Sequence, residues 1–254
     1  MAEQRKVAIV TGSAAGLGAA TALQLAAKGW NVVINYSRSE ADAKETVAAC
    51  EAEGVEALLV QADVGDDAEC RDMVAQTMAK WGRIDALVNN AGTTKFVKHD
   101  DLDGLTPEDF ERIFRVNVFA VYQMIHAVTP HMKAAGEGSI VNISSISGIT
   151  GAGSSVAYTA SKGAVNMMTV SLARALAPEI RVNAVCPGFI GTRWQVNGVG
   201  AEKYDQLVRN VEANTPLQHA NTPEEIAETV VWFVEGARWV TGETLLVDSG
   251  RHLV

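Results

Sequence analysis

Short apolar runs alternate with longer segments of helical period along almost the whole chain. Val7-Ala8-Ile9-Val10 opens the series, in a first strand expected from Lys6. Further strands are expected to begin at Asn31, Val55, Ile84, Ser139, Ile180 and Glu243. Runs this short fit strands buried on both faces, the condition of a parallel sheet covered by its crossover helices. The alternation therefore predicts an α/β fold: a parallel sheet of about seven strands with helices on both faces. No linker or internal repeat divides the chain, so one domain over residues 1–254 is expected.

Helices are expected near Gly16–Lys28, Glu40–Glu53, Asp67–Trp81, Pro107–Ala135, Val156–Ala177 and Pro223–Glu235. Two of them have readable entries. Thr106-Pro107-Glu108-Asp109 and Thr222-Pro223-Glu224-Glu225 each offer an N-cap hydroxyl, a proline at the first helical position and acids for the dipole. Gly191 to Glu202 lacks strong periodicity and carries three glycines plus Trp194. It is expected to be a long flexible loop, and such loops often act as lids.

Composition narrows the function classes. A formal charge of -9, with Lys and Arg scattered, would repel a phosphate backbone, so nucleic acid is not an expected partner. The polar residues Met1 to Lys6 lead into an apolar run too short for a signal segment or membrane span. A soluble cytoplasmic protein without a membrane partner is the expectation. Cys50, Cys70 and Cys186 form no Cys-x-x-Cys pair, and the histidines form no ligand set, so neither disulfides nor a metal site is expected.

The run Val10-Thr11-Gly12-Ser13-Ala14-Ala15-Gly16-Leu17-Gly18 sets three glycines between a strand and a helix. Backbone amides and the helix dipole can hold a pyrophosphate there, which points to a dinucleotide site. The second strand ends in Asn35-Tyr36-Ser37-Arg38, where an NAD-binding protein would present Asp or Glu to the ribose diol. No carboxylate repels a 2′-phosphate, and Ser37 and Arg38 can donate to one, so NADP(H) is favoured over NAD(H). The alternative is that Arg38 is a solvated residue opening the next helix, and the glycine loop supplies no second cation at Ala14 or Ala15.

Tyr158 and Lys162 stand four residues apart at the start of a helix, hence on one face. A tyrosine titrates near pH 10, and a neighbouring cation would stabilise its phenolate. Upstream, Gly138-Ser139-Ile140-Val141-Asn142-Ile143-Ser144-Ser145 fits a buried strand ending in hydroxyls at the carboxyl edge of the sheet. A serine there can polarise a carbonyl oxygen. Ser144, Ser145 and Ser147 are candidates there, and Ser144 and Ser147 also fit capping roles.

With these motifs in order, joined by Asp63, Asn89-Asn90-Ala91-Gly92, Asn117 and Pro187-Gly188, the chain resembles the short-chain dehydrogenase/reductase family over nearly its whole length. The pattern is most similar to the 3-oxoacyl carrier-protein reductases. The resemblance implies a doubly wound Rossmann-type fold with Tyr158 as general acid/base. Lys162 would lower its pKa and bond the nicotinamide ribose, Ser145 would bind the substrate oxygen, and Asn117 would hold a water in the proton relay. It further implies that Asp63 and Val64 flank the adenine, that Asn90, Ala91 and Gly92 line the cofactor, and that Pro187, Gly188, Ile190 and Thr192 contact its nicotinamide end. The last strand is commonly part of a tetramer interface in that family, so a homotetramer is implied.

The expected activity is interconversion of a ketone and a secondary alcohol. Carrier-protein reductases tend to place arginines near the pocket, whereas Ala134-Ala135-Gly136-Glu137-Gly138 and Ala177-Pro178-Glu179 carry none. A small ketone, a sugar or a polyol is the alternative substrate. A cofactor-binding regulator without turnover is the alternative from another class, since fold alone does not imply function.

Overall fold

The computed structural model describes residues 4–254; residues 1–3 of the polar lead-in lie outside the described residues. Seven strands form one parallel sheet: β1 Val7–Val10, β2 Asn31–Tyr36, β3 Ala57–Gln61, β4 Ala86–Asn89, β5 Gly138–Ile143, β6 Ile180–Pro187 and β7 Thr244–Val247. Their order across the sheet is β3-β2-β1-β4-β5-β6-β7, every pair parallel. The chain builds outward from β1 to β3, then crosses to β4 and builds outward the other way. Direction reverses between β1 and β4, and ligands of such sheets bind beyond the carboxyl ends of the strands at that point.

Alternation along β1 divides the interior into two cores. Ala8 and Val10 pack with Val32, Ile34, Leu25, Ile226 and Phe233 on one face. Val7 and Ile9 pack with Val33, Met73, Leu87, Val128 and Ile140 on the other. All four β1 residues are fully buried, so the strand's amides need partners; the Val7 amide donates to Asp85 Oδ2 at 2.7 Å, and the strand pairs with β2 and β4 on either side.

The first face is covered by α1 (Gly16–Ala27), α2 (Glu40–Ala52) and α10 (Pro223–Val231), and the second by α3 (Asp67–Trp81), α5 (Ala120–Ala135) and α7 (Val156–Leu176), among the described residues. α4 (Pro107–Phe114) and α6 (Ser147–Thr150) lie beside α7. Both expected entries form complete capping boxes: Thr106 with Asp109 at α4, and Thr222 with Glu225 at α10. Each satisfies two otherwise unpaired amides.

Two expectations need correction. The helix expected over Pro107–Ala135 is interrupted by a π-helical turn, Arg115–Phe119, between α4 and α5. The stretch Gly191 to Glu202 is not an irregular loop: it carries α8 (Arg193–Val199) and runs into α9 (Ala201–Ala213), divided at Gly200, whose φ is +84°. In α9, Tyr204, Leu207, Val208 and Val211 recur at helical spacing and are half-buried, which gives that helix one weakly apolar face.

Candidate active site

The first turn after β1 is fixed by side chains from three strands. Thr11 Oγ1 accepts hydrogen bonds from the amides of Asn90 at 3.0 Å and Ala91 at 3.1 Å. Asn35 Oδ1 accepts from the Gly12 amide at 2.9 Å, while its Nδ2 donates to the Ala62 carbonyl at 3.1 Å. Asn35 was not among the expected site residues; a fully buried amide within an apolar strand was its signal. Gly18 lets α1 settle on this turn, because a Cβ there would lie 2.5 Å from both the Gly12 carbonyl and Asn90 Nδ2.

A cleft of about 680 Å³ opens beyond these strand ends. Gly12, Gly16, Leu17, Ser37, Arg38, Asp63, Val64, Asn90, Ala91 and Gly92 line one part. Ser145, Tyr158, Lys162, Pro187, Gly188, Ile190 and Thr192 line another. No side chain caps the N-terminus of α1, whose preceding residue is Ala15. Gly16 has φ +59°, and a Cβ there would meet only Thr192, at 3.5 Å. An uncapped helix start and a side-chain-free backbone beside a cleft of this volume fit a dinucleotide pyrophosphate.

Three expected residues lie behind the wall. Ser13 is buried, with Oγ donating to the Val10 carbonyl at 2.7 Å and accepting from the Asn35 amide at 2.9 Å, so it shapes the turn. Gly18 serves helix packing, as above. Asn117 sits within the π-helical turn, fully buried; its Oδ1 accepts from the Thr93 amide at 2.8 Å, and its Nδ2 donates to the Thr93 carbonyl and Ser161 Oγ, each at 3.0 Å. The Asn117 side chain thus ties the segment after β4 to α7, rather than opening to the cleft.

α7 begins at a Ser155 cap, whose Oγ accepts from the Tyr158 amide at 3.3 Å. It is pinned to the end of β5 by Lys162 Nζ, which donates to the Ile143 carbonyl at 2.7 Å, and by Ser144 Oγ, which donates to the Lys162 carbonyl at 3.1 Å. Deeper in, Asn89, Asn142 and Thr169 form a buried hydrogen-bonded chain across β4, β5 and α7. Lys162 Nζ lies 5.6 Å from the centre of the Tyr158 ring, and Ser145 is near enough to the phenol to pull its pKa down. Ser145 Oγ also donates to Ser147 Oγ at 3.0 Å and accepts the Ser147 amide at 3.1 Å. Trp194 of α8 meets Tyr158 edge-on, with ring centres 6.3 Å apart.

Burial shifts the two titratable groups of α7 in opposite senses. Loss of hydration pushes the Tyr158 phenol up to about 12, against a smaller downward pull from Ser145. It pushes Lys162 down to about 8. Burial is the largest influence on the phenol, ahead of Ser145 and Cys186.

Against known proteins, the chain matches over residues 12–252 the family model described as enoyl-(acyl carrier protein) reductase. It is 42% identical over 253 residues to the chain named as ketoacyl reductase 2 of the granaticin polyketide synthase of Streptomyces violaceoruber, covering 100% of this chain and 98% of that one. A crystal structure from Burkholderia xenovorans, described as a short-chain dehydrogenase/reductase, superposes with a TM-score of 0.92 at 39% identity over 99% of this chain and 100% of the other. The acetoin dehydrogenase of Salmonella typhimurium superposes with a TM-score of 0.85 at 34% identity, covering 98% of each chain. The topology, the position of the cleft and full-length matches at these identities agree: the chain belongs to the short-chain dehydrogenase/reductase family of oxidoreductases.

Proposed function

We propose that this protein reduces a small ketone to a secondary alcohol with NADPH, and catalyses the reverse reaction with NADP⁺. The reading rests on one observation: Ser145, Tyr158 and Lys162 meet on the wall of the cleft into which the uncapped start of α1 opens. The nicotinamide, when bound, supplies or accepts the hydride; the chain's own residues handle the oxygen and the proton. Ser145 and Tyr158 hold the substrate oxygen between two hydroxyls. A phenol pushed up to about 12 is fully protonated near neutrality, which suits it to donate to the oxygen as the alcohol forms. Lys162, pushed down to about 8, is still mainly cationic at pH 7 and offsets the charge left on the phenolate.

Arg38 and Ser37, with no carboxylate beside them on the cleft wall after β2, support NADP(H) over NAD(H). The -9 charge supports a free small ketone over one docked on an acidic carrier protein. Similarity to an acetoin dehydrogenase supports the same substrate size. Sugars and polyols are the second reading within the chemistry. The test is absorbance of the reduced nicotinamide with each cofactor against ketones, 3-oxoacyl thioesters and polyols. Binding of cofactor with no turnover on any substrate would instead support a regulator.

A further inference from the structure

The glycine loop offers no second cation, but the fold brings one to the same cleft from a distant segment. Arg193, the first residue of α8, donates from Nη2 to Asp42 Oδ2 at 2.8 Å across 151 residues of sequence. Asp42 lies in the first turn of α2, four residues beyond Arg38. One turn further along that helix, Thr46 Oγ1 donates to the Ala14 carbonyl at 3.0 Å. On the other side of the loop, Gly16 faces Thr192, the neighbour of Arg193. The glycine loop, the start of α2 and the start of α8 therefore converge, and Arg193 lines the cleft with Ala15, Gly16, Ser37 and Arg38.

Charge at this rim is balanced by Arg193. Glu40 is paired with Lys44 at 2.8 Å, and Asp42 and Glu45 both act on Arg193, strengthening its hold on its proton. Without Arg193, Asp42 would lose the ion pair that offsets its charge in the first turn of α2. The start of α2 also receives no capping bond from Ser39. The Asp42 pair is exposed and hence weak, so a dianionic phosphate can share or take its guanidinium.

We propose that Arg193 is a specificity-determining residue for the 2′-phosphate of the cofactor, held ready by Asp42. The inference rests on the dinucleotide reading above and deepens it. The test measures dissociation constants of NADPH and NADH by protein fluorescence for the wild type, Arg193→Gln, Asp42→Asn and Arg38→Gln, with melting temperatures as a folding control. Arg193→Gln is expected to weaken NADPH about tenfold, the worth of one charge-assisted hydrogen bond, while NADH changes less than about twofold. Asp42→Asn, which frees the arginine, is expected to leave NADPH as tight as in the wild type or tighter. Equal weakening of both cofactors by Arg193→Gln, or none, would overturn the inference while leaving the dinucleotide site intact. A wild type that binds neither dinucleotide would overturn both readings.

Discussion

Tyr158 and Lys162 are a few ångströms apart, yet the same loss of hydration keeps a proton on one and loosens it on the other. Tyr158→Phe keeps the ring but removes the donor, so turnover is expected to fall about 10²–10⁴-fold with cofactor affinity nearly unchanged. A retained turnover would end the proposed role of the phenol. For reduction, kcat/KM should be level below pH 8 and decline as pH rises through about 8, where Lys162 loses its proton. Stability carries the opposite sign. Between about 8 and the ordinary 10.5 the unfolded chain binds a proton that the folded chain does not, so this group adds stability as pH rises. Lys162→Met is thus expected to be inactive but about 2 kcal/mol more stable at pH 7, after allowing for the lost bond to Ile143. That gap should close towards pH 10.5 in denaturant titrations.

Elements with a strong local signal were legible in the sequence, and those that depend on packing were not. Both threonine-proline-acid entries formed their caps because every partner lies within three residues. The π-helical turn at Arg115–Phe119 has no such mark; it accompanies the placement of Asn117 between Thr93 and Ser161, a tertiary demand. α8 was hidden by its glycine. A Cβ at Gly198 would lie 2.2 Å from the Phe96 ring, so the residue that reads as a helix breaker is the one that lets α8 approach Phe96. Trp194 rides on that helix beside Tyr158. Trp194→Ala is expected to raise KM for ketone several-fold while leaving the NADPH dissociation constant within about twofold; a change confined to cofactor binding would remove the indole from the substrate side. At α1, Gly18→Ala should lower the melting temperature, at about 2–4 °C per kcal/mol for a chain of this size, and weaken both cofactors together.

At the scale of the whole molecule, the strand periodicity carried the sheet, and the spacing of motifs carried most of the cleft wall. What stayed illegible were partners brought together only by folding: the Gly12 amide and Ala62 carbonyl that Asn35 bridges, and Arg193 on the same cleft as Arg38. Phe119, Tyr122 and Met167 are exposed on the helical surface, and Trp239 is 93% exposed in the segment leading to β7. Apolar side chains left outside in this way fit the homotetramer that the family resemblance implies. Light scattering should therefore give about four times the 27.0 kDa chain mass; a monomeric mass would rule that assembly out.

The strand order also sets a timetable for synthesis. β2 and β3 can join β1 as soon as residue 61 is available, but the other edge of β1 is completed only by β4, which begins at Ala86. Until then the most deeply buried strand of the finished protein is a bare, wholly apolar edge, the kind of surface on which neighbouring chains pair. After β4 every later strand docks on a margin already built, and β7 arrives last at the rim. The hazardous interval in the life of this chain is thus brief and early, and it coincides with the synthesis of α3, the helix that carries the chain back across the sheet to close that edge.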